Sequence, residues 1–262
     1  MPKMIEKVHV NVPFTMLHET YIDLVLENRV NPEIGLDAEA LDSLPDTVFA
    51  ECADRLDRGG VSVTFHGPFF DLSPGSTDPD IRAVTRRRFE QVLHLVPLYH
   101  PKAVVCHAGY EKYRYGYLRA SWIEKSVEIW CWFSKELNEL GSRLVLENVY
   151  EQTPEDLLPL FEALVPQGVG FCLDVGHQAV FGRSSLNNWL SVLGSYLRHV
   201  HLHDNHGDMD DHLALGNGSV DLPLLFDYFR ENKDIRPLVT LEPHVREALW
   251  PSLSYLEANW PW

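Results

Sequence analysis

Imidazole and carboxylate groups recur at one kind of position in this chain, directly after short apolar, β-branched runs. The runs end in Thr64-Phe65-His66-Gly67-Pro68, Val105-Cys106-His107-Ala108-Gly109, Leu146-Glu147-Asn148, Leu173-Asp174-Val175-Gly176-His177, His199-Val200-His201-Leu202-His203-Asp204-Asn205 and Leu241-Glu242-Pro243-His244. Asp210-Asp211-His212 adds a further acid/histidine cluster before the last run. These side chains suit divalent zinc, manganese, iron or cobalt. Brought together from separate strands they would repel one another and lose hydration unless a cation sat among them. A single strand-end histidine is ordinarily a hydrogen-bonded structural residue, and His9, His18, His94, His100, His199, His206 and His244 are read that way. Strand alternation puts His201 and His203 on one face, so either of them could be the ligand.

The elements that must present these groups alternate regularly. Strands are expected at Val8–Val12, Val61–His66, Ala103–His107, Arg143–Glu147, Val169–Asp174, His199–His203 and Leu238–Glu242, with a weaker one at Val30–Leu36 interrupted by Pro32. Helical spacing of apolar residues marks Met16–Asn28, Asp46–Leu56, Asp80–Tyr99, Leu118–Leu140, Ser185–Tyr196, Leu222–Asn232 and Val245–Leu256. Gly141 is a natural helix stop, and Thr153-Pro154-Glu155-Asp156 a helix start with a cap, a first-turn proline and acids at the positive dipole end. The pattern implies one α/β domain over residues 1–262, a (β/α)8 barrel, whose catalytic groups project from the C-terminal strand ends. A doubly wound open sheet is the alternative; its usual glycine-rich turn is missing from Asn11-Val12-Pro13-Phe14-Thr15.

Composition narrows the function. The 262 residues carry 38 Asp and Glu against 22 Lys and Arg, a formal net charge of −16. That balance disfavours bulk DNA, which needs a cationic surface, and fits an enzyme that binds cations. Arg86-Arg87-Arg88 falls in a helix pattern and reads as a solvated outer face. The four cysteines form no C-x-x-C pair, which argues against a disulfide framework or thiolate zinc site. Met1–Thr20 lacks a secretory apolar core, and no stretch reaches the roughly 20 apolar residues of a membrane helix. A cytoplasmic protein is expected.

The residues quoted above, together with Asp210-x-His212-x-x-Leu-Gly-x-Gly218, resemble the xylose isomerase-like TIM-barrel superfamily from about Val8 to Glu242. It includes endonuclease IV and sugar or sugar-phosphate isomerases and epimerases. The resemblance to the isomerases implies one divalent metal on Glu147, Asp174, His201 and Glu242. The resemblance to endonuclease IV implies up to three ions, zinc first, on His66, His107, Glu147, Asp174, His177, His201, Asp210, His212 and Glu242, all nine of which are present. Three metals imply phosphoester hydrolysis by an activated water, with Glu147 orienting the nucleophile.

The first reading is therefore a metal-dependent phosphoester hydrolase acting on a small or nucleotide-containing molecule; cobamide-remodelling phosphodiesterases are a specific possibility in the same superfamily. The second is a sugar or sugar-phosphate isomerase or epimerase, in which Glu147 and Glu242 move the proton and His177 polarises the carbonyl. An AP endonuclease comes third and a non-catalytic metal-binding barrel fourth. Phe69-Phe70 lies where endonuclease IV places its apolar wedge, and also suits a small-molecule wall. Tyr110-Glu111-Lys112-Tyr113-Arg114-Tyr115-Gly116-Tyr117 could stack a ring and hold a phosphate, or form an ordinary solvated helix entrance. Phe69, Lys112, Arg114 and Arg183 are the candidate substrate contacts. The acidic Asp37–Asp42 segment, expected as a loop, would repel phosphates.

Overall fold

The computed structural model describes residues 3–262. Eight parallel strands close into a barrel in chain order: β1 (His9–Pro13), β2 (Asn31–Gly35), β3 (Thr64–His66), β4 (Val104–His107), β5 (Leu144–Glu147), β6 (Gly170–Asp174), β7 (Leu197–Leu202) and β8 (Leu238–Leu241). Closure runs through His9 against Thr240 and Val10 against Leu241. The expected (β/α)8 barrel is the fold, and the open sheet is excluded. Pro32 does not interrupt β2, which pairs along its length with β1. No helix among the described residues is long and apolar enough to cross a membrane.

Local chemistry explains the helix limits. Asp78 caps Pro79–Tyr99 by accepting from the Asp80 amide at 2.8 Å, with proline in the first turn. Arg119–Glu139 stops ahead of Gly141, whose φ of 79° is cheap only without a Cβ. Thr153 and Asp156 form a reciprocal capping box, opening a tight turn before Leu158–Leu164.

Three local expectations need correction. Met16–Asn28 is not one regular helix, since a five-residue π-helical segment, Leu17–Tyr21, splits Phe14–Met16 from Ile22–Glu27. Asp37–Asp42 is not a free acidic loop: Asp37 caps Ala38–Ser43, accepting from the Ala40 amide at 2.7 Å. Nor is Arg88 solvated. It is 9% exposed and grips both Asp42 oxygens, at 2.5 and 2.8 Å, so part of the segment's charge is neutralised.

Apolar packing fills the layer between barrel and helices, as in the stack of Trp130, Phe89 and Phe133. The barrel interior is different. Ala103, Val105, Val145 and Cys172 make a small apolar plug. Beside it lie Glu33, Thr64, His199, His201 and Thr240, all fully buried. Strand period two places the next residue of the same face one step nearer the C-terminal rim. That step runs from Thr64 to His66, Val105 to His107, Val145 to Glu147, Cys172 to Asp174 and Thr240 to Glu242.

Asp204, just past β7, organises the loop carrying Asp210 and His212. Its buried carboxylate accepts from the amides of Asn205 (2.9 Å), Val220 (3.0 Å), Gly216 (2.9 Å) and Gly218 (2.9 Å). Its backbone pairs with Leu213 across the loop base. A Cβ on residue 218 would lie 2.3 Å from both Asn205 O and Asp204 Oδ1, which explains Gly218. Asp204→Ala would leave four amide donors without their acceptor. A stability loss of about 3 kcal/mol or more is expected in urea unfolding, and a loss below about 1 kcal/mol would show that the loop is held by other contacts.

Candidate metal centre

The strand-end groups meet at the C-terminal mouth in three overlapping sets. Glu147 Oε2 faces His66 Nε2 at 3.1 Å and His107 Nε2 at 3.7 Å. Its Oε1 faces His177 Nδ1 at 3.1 Å and His201 Nδ1 at 3.6 Å. His201 Nδ1 also lies 3.1 Å from Glu242 Oε1 and 3.8 Å from Asp174 Oδ2. Asp210 Oδ2 faces His177 Nε2 at 3.3 Å and His212 Nε2 at 3.2 Å. All nine residues singled out from the sequence are thus brought together, and Glu147 belongs to two of the sets.

Glu33 was not among them. Fully buried in the middle of β2, it places Oε1 2.9 Å from His201 Nε2, while Oε2 accepts from Thr64 and Thr240, each at 2.9 Å. A carboxylate on Nε2 keeps the proton there and leaves the Nδ1 lone pair facing Glu147, Asp174 and Glu242, the usual outer support of a metal-binding imidazole. The sequence signal was a lone acid in a strand whose neighbours are Pro32 and Ile34.

His203 separates from His201 by geometry. Its Nε2 is 3.1 and 3.2 Å from the two Asp174 oxygens, and its ring stacks on His212 with centroids 3.7 Å and planes 7° apart. Its Nδ1 also lies 3.7 Å from Asp210 Oδ1. An imidazole binds a cation close to its own ring plane, and two nearly parallel stacked rings cannot both aim at one ion. The stacking keeps His203 and His212 from sharing one ion, while His203 still converges with Asp174 and Glu242, and His201 with Glu147 and Asp174. Gly176 makes this placement of His203 possible, since a Cβ there would lie 1.9 Å from the His203 ring. His244, read as structural, instead stacks on the other side of His212 at 3.5 Å and lines the cavity.

The electrostatics are those of a buried cluster of opposite charges. Burial alone would raise the Glu147 carboxyl, but the His201, His107 and His177 imidazoles hold it well below its ordinary value. Asp174 and Glu242 are likewise lowered against burial, by His177 and His203 and by His201. Burial would lower His177 and His201, yet the surrounding acids lift both well above the ordinary histidine value. His107, farther from the acids, is taken by burial down to about 3. Nδ1 of His201, Nδ1 of His203 and Oδ1 of Asp210 are buried without an aligned hydrogen bond. Donor atoms converge within 4.8 Å of one another in His66, His107 and Glu147, in Glu147, Asp174 and His201, in Asp174, His203 and Glu242, and in His177, His203, Asp210 and His212, sets that fit divalent cations.

The centre floors a cavity of about 480 Å³ walled by Phe69, Phe181 and His244 among others. A second cavity of about 360 Å³ adjoins it, and His107, Phe69, Phe70 and Tyr150 border both. Of the candidate substrate contacts, Phe69 stacks on His107 at 4.3 Å and Arg114 lines the second cavity. Lys112 and Arg183 are exposed and line neither cavity, because the short helix Lys112–Tyr115 and the turn after Phe181 direct them outward. Glu151, unnoticed in the sequence, is buried beside the second cavity and accepts from the Val149 and Tyr110 amides at 2.7 and 3.0 Å. Burial pushes its carboxyl up to about 7.

A family model described as "Xylose isomerase-like TIM barrel" matches residues 30–259. An uncharacterized protein of Methanocaldococcus jannaschii, MJ1311, is 26% identical over 210 residues, 74% of this chain and 72% of its own. The solved structure of the TTHB071 protein from Thermus thermophilus, from a ZnCl2 soak, superposes with a TM-score of 0.81 and 28% identity, covering 97% of this chain and 98% of that one. A D-tagatose 3-epimerase-like protein follows at TM-score 0.78 and 21% identity, covering 95% and 96%.

Two measurements probe this architecture. Glu33→Gln is expected to lower zinc affinity about 10–100-fold in chelator competition, with the fold retained by circular dichroism; equal affinity would show that His201 is oriented by something else. Between about pH 4.5 and 7 the folded protein keeps a proton on Glu151 that the unfolded chain releases. Its contribution to stability is complete below that window and falls as pH rises through it, by on the order of 3 kcal/mol. Glu151→Gln should remove that part of the slope in urea unfolding across the window, and an unchanged slope would refute the assignment.

Proposed function

The chain belongs to the xylose isomerase-like TIM-barrel family, and from that premise we propose that it is a divalent-metal-dependent phosphoester hydrolase with a multinuclear centre, acting on a small substrate. The observation that carries this reading is the Asp210–His212 pair seated on His177. The one-metal set that the resemblance to the isomerases implies, Glu147, Asp174, His201 and Glu242, does not call on this pair.

In this reading His66, His107 and Glu147 would hold one ion, Glu147, Asp174, His201 and Glu242 a second, and His177, Asp210 and His212 a third, with zinc the first expectation. When bound, such cations supply Lewis acidity toward phosphoryl oxygens and neutralise developing negative charge. The chain's own residues do the remaining work. Glu147, with its two oxygens turned to different histidines, orients the attacking water. Phe69 and Phe181 wall the cavity and limit bulk solvent around the reacting group. The net charge of −16 and a cavity of about 480 Å³ suit a small phosphorylated molecule better than bulk DNA.

A sugar epimerase is the second reading. It is favoured by the likeness to the D-tagatose 3-epimerase-like protein and by the convergence of Glu147 and Glu242 on His201. It would use those two acids to move a proton beside a bound carbonyl sugar.

Metal counting and turnover separate the two. Zinc-loaded protein is expected to hold about three ions per chain by elemental analysis, His212→Ala about two, and the loaded enzyme to hydrolyse bis(p-nitrophenyl) phosphate. Saturation at one ion, unchanged by His212→Ala and accompanied by ketose epimerisation, would replace the hydrolase reading with the epimerase one.

A further inference from the structure

The second cavity, of about 360 Å³, adjoins the cavity over the metal centre across a partition that includes His107, Phe69, Phe70 and Tyr150. His107 faces Glu147 from the centre, and Phe69 stacks on it. A molecule whose reacting group lay on the His66, His107 and Glu147 side would extend past that partition. Phe70 is 76% and Tyr150 54% exposed. Two large aromatic faces left open to water at a passage between cavities are costly unless something covers them.

The deeper walls specify what would fit. Tyr115 lines the cavity with its hydroxyl engaged by Ser73, also in the wall, at 2.8 Å. Leu72 and Ile81 add aliphatic surface. The charged groups in the wall are Arg114, with its guanidinium 3.9 Å from Glu111, and the acids Asp71, Glu111 and Glu151. Asp71 and Glu111 set against one cation make a poor seat for a phosphate, which belongs on the histidine/carboxylate centre. A guanidinium offers donors and an adjacent carboxylate offers acceptors, a pairing that matches an uncharged ring carrying both. Aromatic faces match the ring plane.

We propose that this second cavity is a binding subsite for a neutral, planar, hydrogen-bonding heterocycle of the nucleobase type, joined to the phosphate-bearing part of the molecule that occupies the metal centre. The assignment rests on the centre binding a phosphoester. It makes Phe70 and Tyr150 the stacking surfaces and Arg114 with Glu111 the edge-reading pair. Arg114 then selects the ring and does not bind phosphate.

Calorimetric titration of the zinc-loaded full chain with inorganic phosphate, ribose 5-phosphate and the four nucleoside 5′-monophosphates tests it. At least one nucleotide is expected to bind about tenfold tighter than ribose 5-phosphate, the scale of one stacked base. The double variant Phe70→Ala, Arg114→Met changes exposed side chains and should retain the fold. It is expected to bring that nucleotide to within about twofold of ribose 5-phosphate. Phosphate binding with no nucleotide preference would overturn the subsite and leave the metal centre standing. A preference that survives in the double variant would overturn the placement of the ring here. Failure of every phosphate to bind would overturn the hydrolase reading itself, and the subsite with it.

Discussion

Four acids converge on one buried imidazole. His201 has Glu33 at 2.9 Å on one ring nitrogen and Glu242, Glu147 and Asp174 within 3.8 Å of the other. Carboxylates removed from water and set this close would repel strongly, and breaking one partner from such a cluster ordinarily costs several kcal/mol. The barrel tolerates the arrangement because its strands deliver alternating positive and negative partners at the same height. His66, His107 and His177 surround Glu147, and His203 braces Asp174. Below them the inner surface stays polar where Glu33, Thr64 and Thr240 satisfy one another, and turns apolar only at the Val105 and Val145 plug. The placement of the neighbouring donors can be traced to this need to balance charge out of contact with solvent.

Groups at strand ends were readable because two local signals coincide there: a β-branched run sets the strand, and its last inward residue must face the mouth. That logic, joined to the family resemblance, pointed to the nine candidate donors and to the barrel that gathers them. It could not find Glu33, whose partner His201 lies on a strand across the barrel; nothing local says that a mid-strand acid beside Pro32 will meet it. Arg88 failed for the same reason, since its partner Asp42 is far away in sequence. The choice between His201 and His203 was also closed to period-two reasoning, because both share a face. The stacking of His203 on His212, and the room that Gly176 leaves, give the two imidazoles different neighbours that the sequence could not show. Lys112 and Arg183 were chosen for chemistry alone, and they stand exposed outside the two cavities.

The acidic excess acquires a location from the structure. Some of it lies at the mouth, on Glu147, Asp174, Asp210 and Glu242, and some serves structural duties, as in Asp204 and Asp42. The cations are scarce around the mouth, and those near it are already engaged: Arg88 by Asp42, Arg114 by Glu111. In the hydrolase reading proposed above, an anionic group at this rim would fall to the histidine/carboxylate centre, and the surrounding walls would read shape and ring chemistry.

The loop from Asp204 to Val220 is tied mainly to itself, through four amides gathered on one carboxylate and a short pairing with Leu213. Asp210 and His212 ride on it as cargo, while Glu147, Asp174, His201 and Glu242 are anchored on or directly after the strands. Such a loop behaves as a cassette. Its excision would leave the other seven donors in place on the barrel, and its acquisition would add two donors in a single evolutionary event. Nuclearity in this architecture can thus change by exchange of one self-folded segment, without rebuilding the barrel beneath it.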